Sequence, residues 1–240
     1  MKATNWEFRN RASIFGLIFG CSFPLYMVDS RNAGIWLANL LGPRIGIDSE
    51  LLAHLLFALG ALAAALAALI RTWASSYLNA GVVYAAEVKT ASLVADGPYR
   101  RVRNPLYFAN VLLAIGMGTL ASRLGFVFML AAMVLFCYRL ILREEADLAA
   151  TQGAGYERYR QAVPRLWPAV TQRVPSSGQS PQWKVGFKSE FWCWGFATSI
   201  AVFAITLSLV AFFVILGASL ALFWLTSSML SKTPDSPVSG

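Results

Sequence analysis

Chemistry in this chain concentrates in VADGPYRRVRNPLYFAN (94–110), answered downstream by LREEADL (142–148) and YERYRQAVPRLWP (156–168). Gly97 and Pro98 predict a tight turn, glycine supplying free dihedrals and proline a fixed one. Asn104 then has the place of an N-cap and Pro105 that of a first helical residue, where neither a missing amide hydrogen nor a fixed φ costs anything. A helix start just after Arg100, Arg101 and Arg103 is a place for an anion. At about 100° per residue, Glu144 and Glu145 lie on adjacent flanks of one helix, so either carboxylate can turn inward without the other. Arg143 and Asp147 pair at i,i+4 on another face. Gly153 and Gly155 predict a break. Tyr156, Tyr159, Arg160 and Val163 then share one aromatic and basic face before Pro164 stops it. Arg165, Trp167 and Pro168 lead the chain back toward an interface.

The elements that must hold these groups are apolar. With 57% hydrophobic and 13% charged residues among 240, and a mean hydropathy of +0.56, polar groups could not cover a water-facing surface, and the chain reads as an integral membrane protein. The formal charge of +8 does not signal nucleic acid, because the basic residues flank apolar spans in the manner of topology signals. Cys21, Cys137 and Cys193 are odd in number and embedded in apolar sequence. They read as small core residues, with no disulfide framework and no metal motif.

In order, Lys2, Arg9 and Arg11 precede an apolar run at 12–28 that reads as an uncleaved anchor. GIWLANLLGP, within 29–48, fits an interfacial helix. Residues 49–70 are the clearest span, long enough for a hydrocarbon core and rich in Ala and Gly for close helix packing. His54, the sole histidine, reads as a hydrogen-bonded interfacial or core residue and is not a site candidate. Segments 106–122 and 124–142 predict a helical hairpin. VPSSGQSP lies in a linker over 174–190, and 191–230 is long enough for two spans with a turn near 212–217, or for one tilted helix. Residues 231–240 form a tail.

Assigning 1–11, 71–104 and 139–190 to one side places sixteen of the twenty Lys and Arg there, with Arg31, Arg44 and Arg123 opposite. By the positive-inside rule that side is cytoplasmic. The expectation is an all-α, polytopic transmembrane helix bundle of about six membrane segments, possibly five. Its catalytic-looking core would be 1–173, with the N-terminus and a pocket of loops and short helices at the cytoplasmic face. Taken singly, the arginines also fit topology signals, the turn and cap an ordinary loop, and the tyrosines interfacial anchors. The combination, in this order and on one side, points to a site.

GPYRRVRNPLY, REEADL and YERYRQAVPRLWP together resemble the isoprenylcysteine carboxyl methyltransferase and phospholipid N-methyltransferase superfamily of membrane enzymes. The resemblance covers 94–168 and extends to NADPH-using membrane sterol reductases. It implies S-adenosylmethionine as cofactor, held by Val94, Gly97, Pro98, Tyr99, Arg103, Asn104, Pro105, Tyr107, Glu144 and Glu145, with S-adenosylhomocysteine as product. A glutamate suits the cofactor's ammonium, and arginine or helix-start amides suit its carboxylate. The resemblance places Asn104, often histidine in the family, with Tyr107 and Arg165 at the reaction, and Tyr156, Tyr159, Arg160 and Arg165 along the acceptor cleft. The acceptor would be a membrane lipid or lipophilic small molecule, either an isoprenylcysteine carboxylate or a phospholipid amine. An NADPH-dependent reductase and a non-catalytic scaffold are the rival classes. The oligomeric state is left open.

Overall fold

The computed structural model describes residues 1–78 and 95–230, and Val94 and Lys89 lie outside them. Eight α-helices account for nearly all regular structure, and no strand forms among the described residues. They are α1 (Asn5–Arg9), α2 (Arg11–Ser22), α3 (Ala33–Ile45), α4 (Ser49–Ser75), α5 (Pro105–Gly118), α6 (Arg123–Ala162), α7 (Trp183–Thr206) and α8 (Leu209–Leu230). By length and apolarity, α4 and α6 are able to cross a membrane, while Arg11–Met27, α5 and Leu209–Phe223 are shorter apolar helices.

Local chemistry explains the boundaries. The run expected at 12–28 stops at Ser22, and Pro24 opens a single 3-10 turn to Met27, because proline brings no amide hydrogen to continue α2. Asp48 caps α4, accepting from the Glu50 and Leu51 amides at 2.9 and 3.0 Å. Ser122 caps α6 through the Gly125 amide at 3.0 Å, which closes the hairpin expected between 106 and 142. Gly153, at φ 53° and ψ −130°, kinks α6 where its pattern predicts a break.

Helix α4 is the centre, with α3, α5 and α7 packed on it. Its small residues permit the approach: a Cβ on Gly116 would stand 2.6 Å from the Gly60 carbonyl oxygen, and one on Gly186 would stand 2.5 Å from that of Thr72. Opposite, Leu51, Leu55, Leu59, Leu62, Leu66 and Leu69 form one exposed stripe. Eighteen positions at about 1.5 Å make it about 27 Å long, close to a hydrocarbon core of about 30 Å.

The C-terminal region differs from expectation in three ways. Helix starts at Trp183, the break falls at Leu207 and Ser208, and 212–217 is uninterrupted α8. Moreover, α7 packs along the whole of α4: Phe203 meets Phe57 edge to face, and the Ala204 carbonyl lies 2.6 Å from His54 Nδ1. His54 is thus the hydrogen-bonded structural residue expected. Cys137 and Cys193 are buried, whereas Cys21 is exposed on α2, a correction to its reading as a core residue.

Candidate functional site

The three polar motifs meet at one end of the bundle. After the kink and Pro164, residues 164–174 have no helix to pair their backbone groups, so partners must come from elsewhere. The 97–104 loop supplies both donors and acceptors. Arg103 N donates to the Pro164 carbonyl, Ala169 N to that of Arg101, and Arg173 N to that of Arg100, at 2.8–2.9 Å. The side chains add to this seam: Arg100 donates to the Val174 carbonyl at 2.9 Å, Arg101 to that of Val170, and Arg103 to those of Arg160 and Val163. The three arginines read as an anion site therefore fasten one loop to another.

Glu145 is the hub of that seam. Its Oε1 accepts from Arg103 Nε and Nη2 at 3.0 and 2.9 Å, and its Oε2 from Arg165 Nε at 3.0 Å, with Arg165 Nη2 at 2.9 Å. The Arg165 guanidinium also lies over the Tyr138 ring, and the Glu145 carboxylate strengthens its hold on its proton. Asn104 stands at the N-cap position, yet its side chain makes no cap bond. Its Nδ2 donates instead to the Arg165 carbonyl at 3.0 Å and Glu145 Oε1 at 3.4 Å. Pro105 is the first helical residue, as expected.

Glu144 faces another way, as the helical offset predicts. Tyr107 donates to its Oε1 at 2.6 Å, and among the described residues no partner bonds its Oε2. Tyr99 lies buried between this group and α4. Burial pushes its phenol well above the usual range, and the charges of Tyr159, Glu144 and Glu190 add to the effect.

Gly97 adopts φ 58°, and a Cβ there would stand 2.3 Å from the Tyr77 ring. Glycine is required on both counts. Pro98 is buried beside it. Before it, Asp96 is a residue the sequence reading missed. Ser176 and Ser177 hydroxyls and the Ser177 and Gln179 amides all donate to its carboxylate. The serine hydroxyls foremost hold its pKa at about 2. VPSSGQSP is consequently a strap tied to the turn, and the S-S-x-Q run following an acid by sequence distance alone could not have signalled it.

The aromatic and basic short helix divides. Tyr156 and Tyr159 are buried in a small cluster with Val163, and Tyr159 donates to the Tyr99 carbonyl at 2.8 Å. Arg160 points out to Glu157 at 2.9 Å and does not join the others. The tyrosines therefore support the GPYR turn from beneath. Also unforeseen is a buried cluster deeper in the bundle: Arg71 Nε donates to Glu190 Oε2 at 2.6 Å, Arg71 Nη1 to Asn110 Oδ1 at 2.6 Å, and Ser75 to Glu190 Oε1 at 2.7 Å.

The N-terminus reaches the same end. Ala3 N donates to the Arg139 carbonyl at 3.0 Å, and Arg139 pairs with Glu7 at 2.7 Å. At the far end of α5 and α6, Arg123 pairs with Asp29 at 3.0 Å.

Comparison with known proteins adds family to geometry. The chain is 28% identical over 148 residues to the cobalt-zinc-cadmium resistance protein CzcN of Cupriavidus metallidurans, covering 59% of this chain and 65% of that protein. It is 24% identical over 124 residues to the nickel-cobalt-cadmium resistance protein NccN of Alcaligenes xylosoxydans xylosoxydans, covering 52% and 55%. The chain thus matches less than two thirds of the length of either relative. No solved structure matches it. Residues 55–151, which carry the GPYR turn, the start of α5 and the acidic pair, match the phospholipid methyltransferase family, in keeping with the superfamily that its motifs resemble.

Proposed function

We propose that this protein is a multi-pass membrane methyltransferase that takes S-adenosylmethionine from the aqueous side and a lipophilic acceptor from the bilayer. The observation that carries the reading is the division of labour within the acidic pair. Glu145 has both oxygens occupied by Arg103 and Arg165, whereas among the described residues Glu144 is hydrogen-bonded by Tyr107 alone, through one oxygen. A half-buried carboxylate with an acceptor to spare fits the ammonium of an amino-acid cofactor. The Tyr77 ring packed on the Gly97 turn and buried Tyr99 would supply an apolar and aromatic wall of the kind an adenine ring needs. When bound, S-adenosylmethionine would supply a methyl group on a positively charged sulfur, open to displacement by the acceptor.

The chain's own part is then to bind, orient and exclude water, since an acceptor carboxylate or free amine needs little acid–base help. Glu144 would hold the ammonium, with Tyr107 fixing its rotamer. Arg165, partly exposed beside Tyr138, would meet the acceptor head group, through the carboxylate of an isoprenylcysteine or the phosphate next to a phospholipid amine. In this reading α2, α4, α5, α6, α7 and α8 would be the six membrane segments. The shared end of the N-terminus and the motifs, opposite the Asp29–Arg123 pair, supports a cytoplasmic site under the positive-inside rule.

Thermal unfolding in detergent with S-adenosylhomocysteine or NADPH tests the class. Stabilisation by the former alone is expected. Stabilisation by NADPH alone would assign the chain to the reductases, and by neither would leave a scaffold. Mass spectrometry of phosphatidylethanolamine vesicles and of a farnesylated cysteine, each incubated with methyl-deuterated cofactor, identifies the acceptor.

A further inference from the structure

Three polar residues run along α5 and its N-cap at spacing i, i+3, i+6, each bonded to an ionisable side chain. Asn104 reaches Glu145, Tyr107 reaches Glu144, and Asn110 reaches Arg71. Six positions at about 1.5 Å carry this row about 9 Å along the helix axis, from the loop layer into the bundle. It ends on a charged pair within apolar helices. Arg71 is 6% exposed and Glu190 0%, and ionisable groups at such depth mark functional sites more often than packing does.

The pair joins parts that lie far apart in sequence. Arg71 belongs to α4 and Asn110 to α5, both inside the family-matched region, whereas Glu190 belongs to α7, beyond it. Trp192 lies against the Arg71 guanidinium, and Trp194 donates to Thr72 Oγ1 at 3.1 Å, which fixes the rotation of α7 on α4. The packing of the GPYR turn on the end of α4 places the pair directly beneath that turn.

We infer that Glu190 and Arg71 are positioning residues for the cofactor pocket, setting the rotation of α5 through Asn110 and thereby the placement of Tyr107 and Glu144. This rests on the methyltransferase reading, and makes α7 part of the binding unit. A purely structural role predicts something different. Replacing both members of a buried ion pair by apolar residues of similar volume is commonly neutral or stabilising.

The test is the double variant Arg71→Met/Glu190→Leu, with Glu190→Gln beside it, measured by melting temperature and by calorimetric affinity for S-adenosylhomocysteine in detergent. The double variant is expected to stay folded with a melting temperature close to that of wild type, because removing the two buried charges offsets the bonds lost at Asn110 and Ser75, and to bind at least tenfold more weakly. Glu190→Gln, whose single amide oxygen cannot accept from both Ser75 and Arg71 and whose neutral side chain leaves Arg71 without its counter-ion, is expected to bind measurably more weakly than wild type, though less so than the double variant. A double variant that binds within twofold of wild type overturns the inference. One that fails to fold leaves the decision to Glu190→Gln, where an unchanged affinity at an unchanged melting temperature overturns it. A wild-type protein that does not bind S-adenosylhomocysteine defeats the methyltransferase reading instead.

Discussion

Substituting each glutamate of the acidic pair by glutamine should separate folding from binding. Glu145 is buried and bonded to two guanidinium groups. Removing one charge from a buried pair costs about 3–5 kcal/mol. The lower end applies here, because the Arg165 side chain is 34% exposed and recovers water whereas that of Arg103, at 7%, does not. At about 2–4 °C per kcal/mol for a chain of this size, Glu145→Gln should lower the melting temperature by about 6–12 °C. Glu144→Gln keeps a carbonyl for the Tyr107 hydroxyl, and should cost about 1 kcal/mol or less. Its effect should fall on the cofactor. Loss of one charge-assisted bond of about 1.5–3 kcal/mol weakens S-adenosylhomocysteine binding by about ten- to a hundredfold. Tryptophan fluorescence in detergent reads the first quantity and calorimetry the second. A Glu144→Gln variant that melts as low as Glu145→Gln, or that binds S-adenosylhomocysteine as wild type does, would refute this division between the two carboxylates.

Three further outcomes follow from particular contacts. Gly97→Ala meets both a positive φ and the Tyr77 ring, and should destabilise by about 1–3 kcal/mol. In a Tyr77→Ala background the clash disappears and the φ penalty stays, so a partial recovery of melting temperature is expected. Gly116→Leu should force α4 and α5 apart against the Gly60 carbonyl, lowering the yield of monodisperse protein in detergent by size-exclusion chromatography. Asp96 is held at about 2, below its unfolded value of about 3.9. Its contribution is complete above about pH 4 and lost as pH falls toward 2. Hydrogen exchange at 174–181, relative to intrinsic rates, should accelerate over that window in wild type. In Asp96→Asn it should already be fast at neutral pH, with trypsin cutting after Arg173 more readily.

Much of the fold is local, and the sequence alone was enough for it. Hydropathy located the long spans, because a helix in lipid must satisfy its own backbone and so needs an unbroken apolar run. Arg123 and Gly125 between two apolar runs were enough for the hairpin, Gly153 for the kink, and Gly97 with Pro98 for the turn. The helical offset between Glu144 and Glu145 already required them to face apart, though not which would be consumed by structure. The tertiary fold decided that, since Arg103 and Arg165 reach Glu145 only once the chain after α6 has folded back on the 97–104 loop. Arg71 and Glu190 stand 119 residues apart, and each alone looked like a topology charge or the edge of a linker. Burial turns them into partners, because a charge taken out of water must find its counter-ion wherever in the chain it lies.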